Sequence, residues 1–341
     1  MPNFNLNYEI LELHLRHIFT IARGSKSTVR NVLVTLASDG MSGIGEAGPN
    51  KRYDETAETV IEYLNALPDI LWQHLDSLDE LTQALDSVKP MVYSARVAVE
   101  MAWLDWWAKS RQQPLYKLWK APSNRGPQTS YTIGIDEPEI IRKKIEEAKA
   151  YPILKVKLGT DHDRDIIGLI RELTDKPIRV DINEGWTDLD RAYREVEYLA
   201  SQNIDLIEQP MPADQLDDMV KLTEYSPIPL CADESFKGFE NLDTIAEAFD
   251  CINIKLMKIG SMIKAKEIIK QAKEKELDIM IGCMIESSLA DTASGILSLW
   301  ADYADLDGHL LINDDPFCGF SLDEEKRIIM PDKPGLGVTP R

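Results

Sequence analysis

The chain has 341 residues, more than one average domain, and 44% of them are hydrophobic, enough for a large buried core. Its 38 Lys and Arg stand against 58 Asp and Glu, a net charge of −20, which argues against nucleic acid or an anionic membrane as partner. No apolar run approaches the roughly 18 to 20 residues of a membrane span, and MPNFNLNYEILELHL lacks a basic stretch followed by an apolar one, so a cytoplasmic, untargeted protein is expected.

Residues 4–48 read as an antiparallel sheet, with period-2 alternation in VRNVLVTLAS and a tight turn at Ser38-Asp39-Gly40. The first connection, Ile21 to Thr28, is polar and contains Gly24 among Arg23, Ser25 and Lys26. It suits either an exposed turn or a mobile lid carrying a cation toward an anionic ligand.

Residues 54–68 and 75–88 have helical period, followed by SARVAVEMAWLDWWAKSRQQPLYKLW. Trp103, Trp106, Trp107 and Trp119 recur with apolar neighbours at helical spacing and are expected to be interdomain core. APSNRGPQ, at 121–128, marks a boundary through its Pro, Gly, Ser and Asn.

From TSYTIGI onward the pattern changes. ILKVKLG, IRVDINEGW, IDLIEQP, IPLCADES and INIKLMKIG are almost continuously apolar, and each closes on a charged residue. Those residues are Lys157, Asp181, Glu208, Asp233 and Lys255, separated by 24, 27, 25 and 22 positions, the length of one strand, one helix and two loops. Parallel strands covered on both faces by helices read this way, and the repeat predicts a modified TIM barrel. Seven strand–helix units end with DIMIGCM and SSLADTASGILSLWA, YADLDG supplies an eighth strand, and no eighth helix follows, giving a (β/α)7β barrel.

The expected division is an N-terminal α+β capping domain over 1–125, the barrel over 126–308, and a tail over 309–341 that returns to the cap. In a barrel the C-terminal strand ends share one rim, so these charged residues converge. Three acids crowded together repel unless a cation neutralises them, which points to a bound hard metal.

Cys231, Cys251, Cys283 and Cys318 show no metal-binding spacing, three of them falling inside predicted barrel strands as small core residues, and a reducing compartment fits. None of the five histidines closes the sixth or seventh barrel strand, which leaves a histidine base unsupported.

In chain order, K-x-K (Lys155, Lys157), D-x-N (Asp181, Asn183), E-Q-P (Glu208 to Pro210), A-D-E (Ala232 to Glu234) and I-K-x-x-K-x-G (Ile254 to Gly260) resemble the enolase superfamily, muconate lactonizing enzyme subgroup. The resemblance covers nearly the whole chain, and the SARVAVEMAWLDWWAK helix shares it. It implies Mg²⁺ on Asp181, Glu208 and Asp233, with a substrate carboxylate on the ion, so that removing the α-proton gives a stabilised enediolate. Enolase-superfamily sites combine a Lys or His base with one or two Mg²⁺ ions that stabilise the enediolate.

It further implies that Lys157 and Lys255, on the second and sixth strands, address opposite faces of one α-carbon, a two-base 1,1-proton transfer suited to epimerisation. Lys155, two residues before Lys157 and on the same side, takes an electrostatic role, lowering the pKa of the base. Asn183 bonds a ligand carboxylate or water, Glu234 and Glu286 orient the lysines, and Lys258 is structural or at the surface.

Asp305 and Asp307 form the D-x-D pattern that resembles the dipeptide epimerases, where such acids hold the substrate's α-ammonium group. Arg23 resembles the loop arginine that grips a glutamyl side chain, with Arg52 and Lys26 as further anion contacts, and Cys283 and Met284 complete the implied substrate wall. The resemblance thus implies epimerisation of a small dipeptide, L-Ala-D/L-Glu first, by a homo-oligomer. N-acylamino-acid racemase and o-succinylbenzoate synthase on the same barrel are the alternatives, and a silent ligand-binding barrel is a third reading.

Overall fold

The protein is described from a computed structural model, which covers residues 3–21, 24–68, 72, 75 and 77–341. Strands β1 (Asn5–Ile21), β2 (Gly24–Ser38) and β3 (Met41–Ala47) form an antiparallel sheet in the order β1-β2-β3. Ser38 pairs with Met41 around Asp39 and Gly40, both at positive φ, which matches the right-handed twist of the strands they join.

The first connection differs from expectation. Pairing runs on to Phe19↔Lys26, Thr20↔Ser25 and Ile21↔Gly24, so Ser25 and Lys26 are strand and not loop. The ladder shifts between His14 and Phe19. The extra residues of β1 pair instead with the tail, through Leu15↔Ile312 and the Arg16 N–H on the Leu311 carbonyl at 2.9 Å. A bulge of this kind bends a strand, and the end of β1 meets the barrel at Thr20, whose carbonyl accepts the Ile135 N–H at 3.1 Å.

Helices α1 (Ala57–Asn65), α2 (Leu78–Ser87) and α3 (Tyr93–Ser110) complete the capping layer, with a single turn, α4 (Leu115–Leu118), after them. Ala98 and Ala102 let α3 approach β3 so closely that a Cβ at Gly43 or Gly45 would stand 2.0 Å from a backbone oxygen of α3. Of the four tryptophans singled out in the sequence, Trp103 is buried, while Trp106, Trp107 and Trp119 are half-buried against the core.

A short strand, β4 (Arg125–Gln128), leads into eight parallel strands, β5 (Tyr131–Ile133), β6 (Leu154–Lys157), β7 (Ile178–Asp181), β8 (Ile204–Glu208), β9 (Leu230–Ala232), β10 (Cys251–Lys255), β11 (Asp278–Gly282) and β12 (Tyr303–Asp305), each paired with the next. A bridge from Thr129 to Ala304 closes the ring. Outside it run α5 (Pro138–Glu147), α6 (Asp163–Leu173), α7 (Leu189–Ala200), α8 (Leu216–Tyr225), α9 (Leu242–Ala248), the turn α10 (Leu256–Ile259) with α11 (Met262–Glu274), and α12 (Ser288–Ser298). No α-helix follows β12 among the described residues, only a single 3-10 turn at Gly308–Leu310, so the eighth helix is missing as the sequence predicts.

Cys231 and Cys251 sit in the barrel core with Leu206 and Met280. Cys283 does not lie in a strand: it falls one residue beyond β11 and faces the rim. The tail returns along the cap, where the Leu336 N–H donates to Asp105 Oδ1 at 2.8 Å.

Candidate active site

Strand register brings the charged residues together. Lys157 pairs with Asp181 and Asp181 with Glu208, while Lys255 pairs with Gly282 and Gly282 with Asp305. Asp233 follows the end of β9, and Asp307 lies two residues past β12. β6 and β10 are four strands apart in a closed ring of eight, so Lys157 and Lys255 stand on opposite sides of the mouth.

Carboxylate oxygens of Asp181, Glu208 and Asp233 all lie within 4.8 Å of one another, and all three residues are buried. Lys155 Nζ is 2.6 Å from Glu208 Oε2, 2.6 Å from Asp305 Oδ2 and 3.1 Å from Asp181 Oδ2. Lys157 Nζ is 2.5 Å from Asp181 Oδ2, and Lys255 Nζ is 2.6 Å from Asp233 Oδ2. An all-oxygen set of three converging carboxylates fits a hard divalent cation, for which these ammonium groups are competitors.

The electrostatics follow from these distances. Burial works against charge throughout, but Lys157 and Lys155 hold Asp181 below the usual carboxylate range, and Lys255 and Lys258 do the same for Asp233. Glu208 goes the other way, pushed up to about 7 by burial and by Asp181. Against its own burial, Lys155 is held well above the usual lysine value by Asp305, Glu208 and Asp181, and Lys255 by Asp233 and Glu208. The sequence leads one to expect a lysine pKa lowered by a neighbouring cation; at Lys255 the adjacent carboxylates outweigh both burial and Lys155.

Asp305 and Asp307 share the same face but differ in circumstance. Asp305 is committed, accepting from Lys155 and from the Ser130 hydroxyl at 2.7 Å. Asp307 Oδ2 accepts the Thr132 N–H at 2.6 Å, and burial and the Asp305 charge push it up to about 7. Both line one cavity with Lys26, Lys155, Lys157, Lys255, Asn183, Cys283 and Met284. The end of β1 adds Phe19 and Ile21 to its wall, and Tyr53 faces it from the cap.

Several expectations meet a different arrangement. Of the two places expected for Lys258 the surface is the wrong one: it lies in α10, 8% exposed, a structural anchor donating to Asp233 Oδ1 at 2.5 Å and to the Asp233 carbonyl at 2.6 Å. Arg52 lines the cavity but forms a two-pronged bond to Glu184, 3.1 Å on each side, so its charge is already answered. Glu286 accepts from the Met284 N–H, and burial with Asp291 and Glu46 beside it pushes its carboxyl well up, which makes it a poor counter-ion for a lysine. Glu234 Oε1 lies 3.5 Å from Asn183 Nδ2, and Asn183 itself closes on Asp181 through its backbone N–H at 3.0 Å. Arg23 lies outside the described residues.

Sequence reasoning missed Asn253, whose Nδ2 donates to Glu208 Oε1 at 2.8 Å. The signal was present, because Asn253 precedes Lys255 by two residues on one strand and therefore shares its face. Gly282 makes room for it, since a Cβ there would stand 2.5 Å from Asn253 Oδ1.

Two family descriptions match this chain: mandelate racemase / muconate lactonizing enzyme, N-terminal domain, over residues 9–119, and enolase C-terminal domain-like, over residues 141–341. The chain is 40% identical over 328 residues to an L-Ala-D/L-Glu epimerase of Bacteroides thetaiotaomicron, covering 96% of this chain and 85% of that one. It is 36% identical over 339 residues to an L-Ala-D/L-amino acid epimerase of Pedosphaera parvula, covering 96% and 97%. Among solved structures, a dipeptide epimerase from Cytophaga hutchinsonii, complexed with Mg and the dipeptide D-Ala-L-Val, superposes with a TM-score of 0.92 at 26% identity, covering 100% of this chain and 96% of that one.

Proposed function

The chain belongs to the enolase superfamily, in its mandelate racemase / muconate lactonizing enzyme group, and from that premise we propose that it is an isomerase of the dipeptide epimerase type, inverting the α-carbon of the C-terminal residue of L-Ala-D/L-Glu. One observation carries this reading: two buried lysines on opposite sides of a barrel mouth share a cavity with a buried acid, Asp307, that has no ion-pair partner among the described residues. The lysines suit exchange of a proton between two faces of one carbon, and the acid suits an ammonium group.

Asp181, Glu208 and Asp233 would hold Mg²⁺, displacing the lysines from these carboxylate oxygens, and the ion would supply positive charge at the substrate carboxylate. Lys157 Nζ takes the α-proton from one face, and Lys255 Nζ delivers a proton to the other. In the reverse direction they exchange roles. Both must first leave their bonds to Asp181 and Asp233, the lysine that takes the proton as a neutral amine and the one that delivers it as an ammonium. Lys155 stays between Glu208 and Asp305 and contributes fixed positive potential.

Asp307 receives the substrate's α-ammonium, because Asp305 is occupied by Lys155. Asn183, Cys283 and Met284 border the ligand, and Arg23, with Lys26 on the adjacent strand, supplies positive charge for a glutamyl carboxylate. Burial and the Lys157 ammonium both lower the Lys26 pKa, so an anionic side chain relieves that strain.

The test is incubation with magnesium and a panel of L-Ala-L-Xaa dipeptides in ²H₂O, followed by mass spectrometry. One deuteron at the α-carbon of the C-terminal residue is expected, fastest with L-Ala-L-Glu, and none after Lys157→Ala with Lys255→Ala. Exchange that survives the double change, or that favours a hydrophobic second residue, goes against the reading at the level of mechanism or of substrate respectively.

A further inference from the structure

Lys255 is the last residue of β10, and the segment after it is held from two directions. Inward, Lys258 of α10 reaches Asp233 and donates to the Asn253 carbonyl at 3.1 Å. Outward, α10 ends at Gly260, in a left-handed conformation with φ 73°, and Ser261 caps α11. Both of these residues are gripped by the capping helix α3. Arg96 Nη1 donates to the Gly260 carbonyl at 2.7 Å, the Ser261 hydroxyl reaches the two Glu100 carboxylate oxygens at 2.8 and 3.0 Å, and the Ile263 N–H donates to Glu100 Oε1 at 3.1 Å.

Arg96 and Glu100 are each 1% exposed and lie 3.0 Å apart, with Arg96 Nε also on Asp86 Oδ1 at 2.7 Å. Tyr93, one turn earlier on α3, packs on Gly260 so closely that a Cβ would lie 2.8 Å from its Cδ1. The segment after Lys157 is tied differently, within the barrel: the Leu158 N–H donates to the Asp181 carbonyl at 2.9 Å and the Gly159 N–H to Asp163 at 2.9 Å.

A buried ion pair of this kind adds little stability over apolar side chains of equal volume, because desolvation of two charges offsets their attraction. Its distinctive product is direction: fixed donors and acceptors at one place on the chain. We propose that Arg96 and Glu100 are positioning residues for Lys255, so that the capping helix sets one of the two proton-transfer faces while hydrogen bonds within the barrel hold the strand end that carries the other. This rests on the two-lysine reading above.

The experiment measures α-hydrogen exchange in ²H₂O separately from L-Ala-L-Glu and L-Ala-D-Glu, by proton NMR with magnesium present. Lys157→Ala and Lys255→Ala first assign the antipode each lysine serves. Glu100→Gln, and the volume-conserving pair Arg96→Met with Glu100→Leu, are then expected to slow exchange of the Lys255 antipode by about 10- to 100-fold, in kcat more than KM, since a displacement of about 1 Å has that effect. The Lys157 antipode should stay within about 2-fold of wild type. Should the double variant fail to fold, Ser261→Ala removes one buried hydroxyl and carries the same asymmetry at about 3- to 10-fold. Equal losses for both antipodes, or full retention of both in a folded double variant, overturn the positioning role while the two-lysine reading stands. A wild type that exchanges neither antipode refutes that reading and the positioning role with it.

Discussion

Lys155 and Lys157 share a strand and a face, yet they meet different partners: Lys155 is surrounded by three carboxylates and Lys157 meets Asp181. The two acids of the D-x-D pair differ in the same way. Asp305 neutralises Lys155, so Asp305→Asn leaves a buried ammonium short of a counter-charge and is expected to lower the melting temperature and abolish activity together. Asp307 is bonded to a backbone N–H and is disfavoured as a buried anion, so Asp307→Asn should not lower the melting temperature, and should raise it at neutral pH, while kcat/KM for an L-Ala-L-Glu substrate falls by about 100-fold or more, the usual cost of removing one partner from a buried charge pair. Steady-state kinetics beside a thermal melt separates the two outcomes.

At the scale of the element, close backbone approach decides what the strands can carry. β3 lies against α3 at Gly43 and Gly45, where a methyl group would stand 2.0 Å from a helix carbonyl oxygen. Gly45→Ala is therefore expected to cost about 1 to 3 kcal/mol in chemical denaturation, the range for overpacking. Gly282 on β11 matters for function, since its missing side chain leaves room for Asn253 beside Glu208. Gly282→Ala should push Asn253 off Glu208 and weaken magnesium binding, read by titration calorimetry, with Asn253→Ala giving a loss of similar size. Unchanged magnesium affinity in both would mean that Asn253 does not hold Glu208 in place.

For the whole molecule, buried ionisable groups link stability to pH. Asp307 has a folded pKa of about 7, far above its ordinary value, so across roughly pH 4 to 7 the native chain keeps a proton that the unfolded chain has released. His309, raised through Asp291 against its burial, likewise contributes stability that is present below about pH 6.5 and lost as pH rises through its folded value. Metal-free protein is thus expected to lose stability as pH rises through this window, and Asp307→Asn to flatten the slope; a steeper slope in that variant would contradict the assignment. Magnesium should stabilise the fold by mass action, about 2.7 kcal/mol at a hundredfold excess over Kd, and so raise the melting temperature, and a chelator should reverse it.

Much of this was legible in the sequence because its causes are local. Strand–helix spacing follows from unit length, near-continuous apolar runs follow from burial on both faces, and a charged residue closing each run falls on the rim; this predicted the barrel with seven helices and gathered Lys155, Lys157, Asp181, Glu208, Asp233 and Lys255 in one place. What only the tertiary structure decided was partnership: Lys258 on Asp233, Arg52 on Glu184, Glu286 among acids, the tail paired with β1 at Leu15, and Phe19, Ile21 and Lys26 of the cap in the cavity wall. Those outcomes depend on register between distant strands and on charges competing across a desolvated cavity, quantities that no window of neighbouring residues contains.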